Sequence, residues 1–230
     1  MPQVSAAPAC LSEFAWDRLG RISLLALLLA ACTGCTTGSR ATSDTFRLLL
    51  NRNIEATPEQ VAANRFPQAQ IRSKDISAVM VLGYVDAGKQ AWFAGSHAVF
   101  YLDSRGLVTG TSGLGRTFET QILPPSPFDH LTTLTAEATV NRKFDWSTRY
   151  EMGVNVTGTL KRVRTERVEV LGRQMDLILF EESLLGDSIR ATNLYWADPA
   201  TGFIWKSKQY LAPGYAVELV QLKPYVPSAR

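Results

Sequence analysis

The 230-residue sequence is short of several things that commonly organise a domain or carry chemistry. It has three cysteines and two histidines. Cys10 falls inside an amino-terminal segment that reads as a removable signal, so at most Cys32 and Cys35 remain, and a disulfide framework is excluded. His97 and His130 are not spaced as metal ligands, which argues against zinc. Charge of one sign is also scarce: 24 Lys and Arg stand against 21 Asp and Glu, a net of +3, too mild a balance for a nucleic-acid partner. No apolar run is long enough to cross a bilayer as a helix, which needs about 20 residues. No long helical pattern alternates with strands, which excludes a parallel α/β fold.

What is present begins with Ile22 to Ala31, an uncharged apolar run behind Arg18 and Arg21 that has the length and flanks of an export signal. Leu29, Ala30, Ala31 and Cys32 at its end resemble the bacterial lipobox, in which cleavage precedes the cysteine and the cysteine is acylated. Cys35 is a poorer lipobox, because Cys32 would occupy its leucine position. Two or more acyl chains hold a protein at a membrane stably, whereas one does so only marginally. Thr33 follows Cys32, and the lack of aspartate there resembles lipoproteins passed on to the outer membrane. About seventeen residues, with Glu13 and Asp17 among them, precede Arg18; an initiation point downstream of Met1 would account for this long, partly acidic lead. The expected organisation is a signal peptide over 1–31, a tether rich in Thr, Gly and Ser over 32–42, and one β-rich domain over 43–230. That domain has roughly 200 residues at most, enough for a sizeable core.

Two short helices are expected to open the domain, one from Asp44 to Asn51 and one with Thr57 as cap and Pro58 at its first position. From Ile76 the chain consists of short runs of Val, Ile, Thr and aromatics divided by Gly, Pro, Asp and Asn, the pattern of antiparallel β-structure. Three hairpins are predicted. They pair Ala98–Leu102 with Leu107–Thr111, Val168–Leu171 with Met175–Phe180, and Asn193–Trp196 with Phe203–Gln209. Further strands are predicted at Leu131–Thr139, Thr148–Val156 and Ala216–Leu222. The fold class is all-β, with eight to ten antiparallel strands forming a curved sandwich or partly closed barrel.

Chemistry-bearing motifs are weak. Gly110-Thr-Ser-Gly-Leu-Gly115 matches neither a dinucleotide fingerprint nor a nucleophile elbow and reads as a strand end entering a loop. Glu181 and Glu182 are adjacent, so on a strand they point to opposite faces and cannot act as an acid–base pair; they read as a solvated strand end. No catalytic residue, metal ligand or cofactor is assigned, and the chain is read as not an enzyme.

Asn193-Leu-Tyr-Trp-Ala-Asp198, Thr201-Gly202, Trp205-Lys-Ser207, Gln209, Pro213 and Leu222-Lys-Pro224 resemble the closing motif of the YjbF/GfcB family of exopolysaccharide-associated lipoproteins. The apolar strand Ala78–Tyr84, Trp92, Gly106-Leu-Val-Thr109, Thr111-Ser-Gly-Leu114, Phe144-Asp-Trp146 and Tyr150 agree with it. The resemblance implies an all-β periplasmic domain at the outer membrane. It also implies a non-enzymatic accessory role in making or exporting exopolysaccharide or capsule, through export proteins or the nascent polymer. It brings no catalytic site.

Six residues form the candidate interaction surface: Trp196, Trp205, Lys206, Gln209, Arg162 and Arg164. Phe203 and Trp205 share a face by period 2 whereas Tyr195 and Trp196 do not. Two readings of the tryptophans stand, a sugar-stacking surface or core packing. Two also stand for Lys161-Arg-Val-Arg-Thr-Glu-Arg167: a strip, with Arg162 and Arg164 on one face, that meets anionic polymer or lipid phosphate, or a charged sheet edge protected from pairing. Two other classes remain open, a carrier with a dry internal pocket and, behind it, a glycan-modifying enzyme with paired acids in a cleft.

Overall fold

A computed structural model describes residues 56–115, 117–147 and 150–227. The signal, the lipobox cysteine, the tether and the helix expected at Asp44–Asn51 lie outside them.

The described chain opens with α1 (Pro58–Ala63), placed as its cap predicts. The Thr57 hydroxyl accepts from the Gln60 amide and the Gln60 side chain accepts from the Thr57 amide, so two amides that the helix leaves unpaired are satisfied reciprocally. Twelve strands come after it: β1 (Gln68–Ser73), β2 (Ser77–Asp86), β3 (Lys89–Ala94), β4 (Ala98–Leu102), β5 (Val108–Ser112), β6 (Phe118–Ile122), β7 (Ala138–Trp146), β8 (Glu151–Val170), β9 (Arg173–Leu185), β10 (Arg190–Ala197), β11 (Ile204–Ala212) and β12 (Tyr215–Lys223). Each pairs antiparallel with its neighbour in sequence, and β1 pairs with β12, closing the barrel. Of the two architectures expected, the barrel is the one formed, and its closure is complete.

Alternation decides which side chains enter. On β7, Val140, Arg142, Phe144 and Trp146 are buried while Thr139, Asn141 and Lys143 face water; on β8, Val156 and Leu160 are buried while Thr157, Thr159 and Lys161 are exposed. This partition, apolar inside and polar outside, is the reverse of a membrane-spanning barrel's. Twelve strands enclose more room than eight, whose interior side chains just fill. Here the volume is taken up by Trp92, Phe100, Phe144, Trp146, Phe180, Tyr195 and Tyr215, all fully buried. A 3₁₀ segment, Pro127–Thr133, adds Phe128 and Leu131 to the core. The buried indoles find partners, Trp92 on the Gln90 side chain at 3.0 Å and Trp146 on the Leu211 carbonyl at 2.8 Å.

Three expectations are corrected. Leu131–Thr139 is not a strand: Pro127 starts the 3₁₀ turn, Leu131 points into the core from it, and β7 begins only at Ala138. The strands expected at Thr148–Val156 and Val168–Leu171 are one twenty-residue strand, β8, with the basic run in its middle. Its turn to β9 is Leu171-Gly172, both at positive φ, one residue ahead of the predicted reversal. Glu182 is not at a solvated strand end. β9 continues to Leu185, and the Glu182 side chain is fully buried against Arg142.

Candidate functional site

Two polar constellations stand out, one inside the barrel and one on its wall. Inside, Arg142 from β7 meets Glu182 from β9 in a fork: Nε donates to Oε1 at 2.6 Å and Nη2 to Oε2 at 2.8 Å. Nη2 also donates to the Tyr195 hydroxyl at 3.0 Å, and that hydroxyl donates to Glu182 Oε2 at 2.7 Å. Asn193 Nδ2 donates to the same carboxylate oxygen at 3.0 Å, and its carbonyl accepts from the Tyr210 amide at 2.7 Å. The Phe128 ring lies 5.6 Å from the guanidinium carbon and packs edge-on against Tyr195. Burial alone would lower the Arg142 pKa, but the charge of Glu182, its hydrogen bond, and the neighbouring Tyr195 and Asp103 together outweigh it and hold the guanidinium charged. Burial, then the charge of Glu182, pushes the Tyr195 phenol well above its ordinary value. A charge pair this well satisfied fixes how β7, β9 and β10 seat. It is sealed from water and has no open position for a reacting group, so its role is architectural.

The wall carries the candidate interaction residues. In the β10–β11 pairing Trp196 lies opposite Lys206 and Ala197 opposite Ile204, so Trp205 is the extra residue of a bulge. The Lys206 ammonium sits 4.8 Å from the Trp196 ring centre, a cation–π contact. The Trp196 indole donates to Glu166 at 2.5 Å, and Arg164 pairs with the same carboxylate. The indole hydrogen bond, with help from Arg164, holds the Glu166 carboxyl below its usual range. Phe203 and Trp205 pack edge-to-face at 5.6 Å, and both tryptophans are half-buried on the outer side. Trp196, Lys206 and Arg164 therefore form one patch, with Trp205 beside it.

Two of the six residues lie elsewhere. The Trp205 bulge re-phases β11, so Gln209 turns inward opposite Val217, is 2 % exposed, and donates to the Ser207 hydroxyl at 2.9 Å. A second bulge at Val163 sets Arg162 opposite Phe180 and Arg164 opposite Leu179. Phe180 and Leu179 are consecutive, so the two arginines emerge on opposite faces and not on one. Sequence reasoning missed Arg142, Glu182, Tyr195 and Asn193 as a set. Only the unusual phase of a carboxylate among Leu179, Phe180 and Leu184 pointed to it.

The described residues define the class by fold, a closed antiparallel β-barrel filled by its own side chains. More particularly, the chain belongs to the family described as group 4 capsule polysaccharide lipoprotein GfcB, YjbF, whose model matches residues 28–222. It is 24% identical over 210 residues to the uncharacterized lipoprotein GfcB of Escherichia coli (strain K12), covering 88% of this chain and 97% of that one. The fold is that of the hypothetical lipoprotein YmcC from Escherichia coli (K12), at a TM-score of 0.65 and 20% identity over 74% of this chain and 89% of that one. Membership carries a non-enzymatic lipoprotein role linked to capsule and exopolysaccharide systems, at the outer membrane with a periplasmic domain.

Proposed function

We infer that the chain is held at the outer membrane by acyl groups on Cys32, spaced from it by a tether over 33–42, and that its barrel engages export-machinery proteins or the nascent polymer in the periplasm. The observation that carries the reading is the wall patch of Trp196, Lys206, Arg164 and Glu166, in which a half-exposed indole stays tied to charged side chains instead of entering the core. A polar wall with an aromatic centre suits a carbohydrate or protein surface, since Trp and Arg are enriched where binding energy concentrates. The carrier alternative lacks support from the barrel interior, which is filled by aromatic side chains and the Arg142 ion pair.

The test is metabolic labelling with a fatty-acid analogue in wild type and Cys32→Ala, combined with membrane fractionation and assay of secreted polymer. Label lost on substitution, outer-membrane recovery of the wild type, and reduced polymer from the variant support a tethered accessory factor. Label that survives Cys32→Ala removes the anchor. Normal secretion from a correctly anchored Trp196→Ala/Lys206→Ala chain removes the patch.

A further inference from the structure

Beyond the Trp196 patch, the same wall holds a groove of about 460 Å³ over β1, β12 and β11, beside the β11–β12 turn. Its floor is low because Gly214 and Ala216 carry little side chain there, while Tyr210 and the long chains of Arg72, Lys74 and Lys208 stand at its sides. Strand register orders these groups. Arg72 and Lys208 both lie opposite Glu218, one on each neighbouring strand, and Lys208 reaches Glu218 at 3.7 Å. Three cations thus share the groove with one carboxylate.

The positive series continues beyond the groove. Lys206 precedes Lys208 on the same face of β11, about 7 Å along the strand, and it covers one face of Trp196. Cations repeating along a strand, with Tyr210 and Trp196 among them, match a ligand whose negative charges also repeat. A small lone anion would use only one end of such a row. A lipid surface is flat and would touch the rim of a concave site without reaching its base.

We propose that this groove binds a segment of acidic polysaccharide, with sugar carboxylates paired to Lys74, Lys208 and Arg72 and a ring face laid on Tyr210. The proposal rests on the polymer-facing reading above and names the chemical class of the polymer. Glu218 is then a moderator, a resident carboxylate that competes with those of the ligand. Its removal strengthens binding, an effect that a purely structural ion pair would not produce.

The experiment uses the full chain in neutral detergent micelles. Polygalacturonate oligomers are the probe, dextran is the neutral control, and micelles doped with phosphatidylglycerol are the lipid arm. Wild type is expected to bind polygalacturonate and not dextran, less tightly as salt is raised. Lys74→Gln/Lys208→Gln should weaken binding about tenfold, and Glu218→Gln should tighten it several-fold. The exposed Lys208–Glu218 pair contributes little to stability, so Glu218→Gln remains a valid test even where the double variant misfolds by circular dichroism. Equal affinity for dextran, an unchanged affinity in Glu218→Gln, or capture by phosphatidylglycerol micelles in preference to polygalacturonate would each overturn the proposal. None of these results bears on acylation of Cys32, so a failed groove leaves the anchored accessory role standing.

Discussion

At the scale of single residues, the Arg142–Glu182 pair is the feature whose removal the barrel should feel most. Truncating Arg142 to Ala strands a buried carboxylate with only Asn193 and Tyr195 to satisfy it, a loss of about 3–5 kcal/mol. Replacing both members, Arg142→Met with Glu182→Leu, removes the desolvation problem together with the attraction and should cost clearly less than the sum of the single changes. A urea-unfolding double-mutant cycle measures this; additive losses would mean that the pair is not coupled. Asp103 offers a test with pH. Its burial raises its pKa above the ordinary value, against the opposing hydrogen bonds from the Leu107 and Arg105 amides. The fold therefore binds the proton more tightly than the unfolded chain does, and this contribution is full in acid and fades as pH rises through the folded value. Both amides donate to Oδ1 at 2.9 Å, an acceptor that asparagine keeps. The stability of Asp103→Asn relative to wild type should accordingly improve from pH 3 to pH 6.5, and a flat difference would contradict the assignment.

At the scale of elements, much of the barrel was legible and the reasons for the misses are physical. Val, Thr and aromatic alternation marked β4, β5, β10, β11 and β12, and Asp198 with Gly202 marked the turn between β10 and β11. β1 and β6 escaped because QAQIRS and FETQI are short, β1 surrounds its inward Ala69 and Ile71 with polar residues, and β6 puts Thr120 at an inward position. Alternation assigns the candidate residues to faces only up to the bulges. Extra residues at Val163 and Trp205 each reverse the phase of the strand downstream, which separated Arg162 from Arg164 and turned Gln209 inward. Neither bulge has a glycine or proline to announce it. The partner of Glu182 lies 40 residues away in sequence, a distance that local pattern does not bridge.

Turn residues allow a matched comparison at the same scale. Gly172 closes the β8–β9 turn at φ +74 with nothing within 4 Å of an added Cβ, so Gly172→Ala meets only backbone strain, about 1 kcal/mol. Gly113, at φ +79, would set a Cβ 1.5 Å from the His97 carbonyl oxygen and must push the β3–β4 turn aside. Thermal melting should separate them, with Gly113→Ala losing several times as much as Gly172→Ala. Equal losses would show that the β3–β4 turn yields easily.

At the scale of the whole molecule, the decisive contact is between the first strand and the last. β1 hydrogen-bonds β12 from Gln68–Lys223 to Ser73–Val217, and Ile71 packs into the core opposite both Leu219 and Ala78. Every other pairing joins neighbours in sequence, so the chain can build a meander progressively but cannot seal it until β12 arrives. Long-range closure of this kind is slow, because the loop entropy is spent before the contact forms. A chain ended after Ala212 keeps eleven strands yet leaves β1 and β11 as open edges and removes Tyr215, Val217 and Leu219 from the core. Such a chain should lose cooperative unfolding and amide-exchange protection in β1 and β11 together, although β1 lies far from the deletion in sequence. Protection retained in β1 would instead mean that the meander is stable as an open sheet, with the seam a late addition to a body already folded.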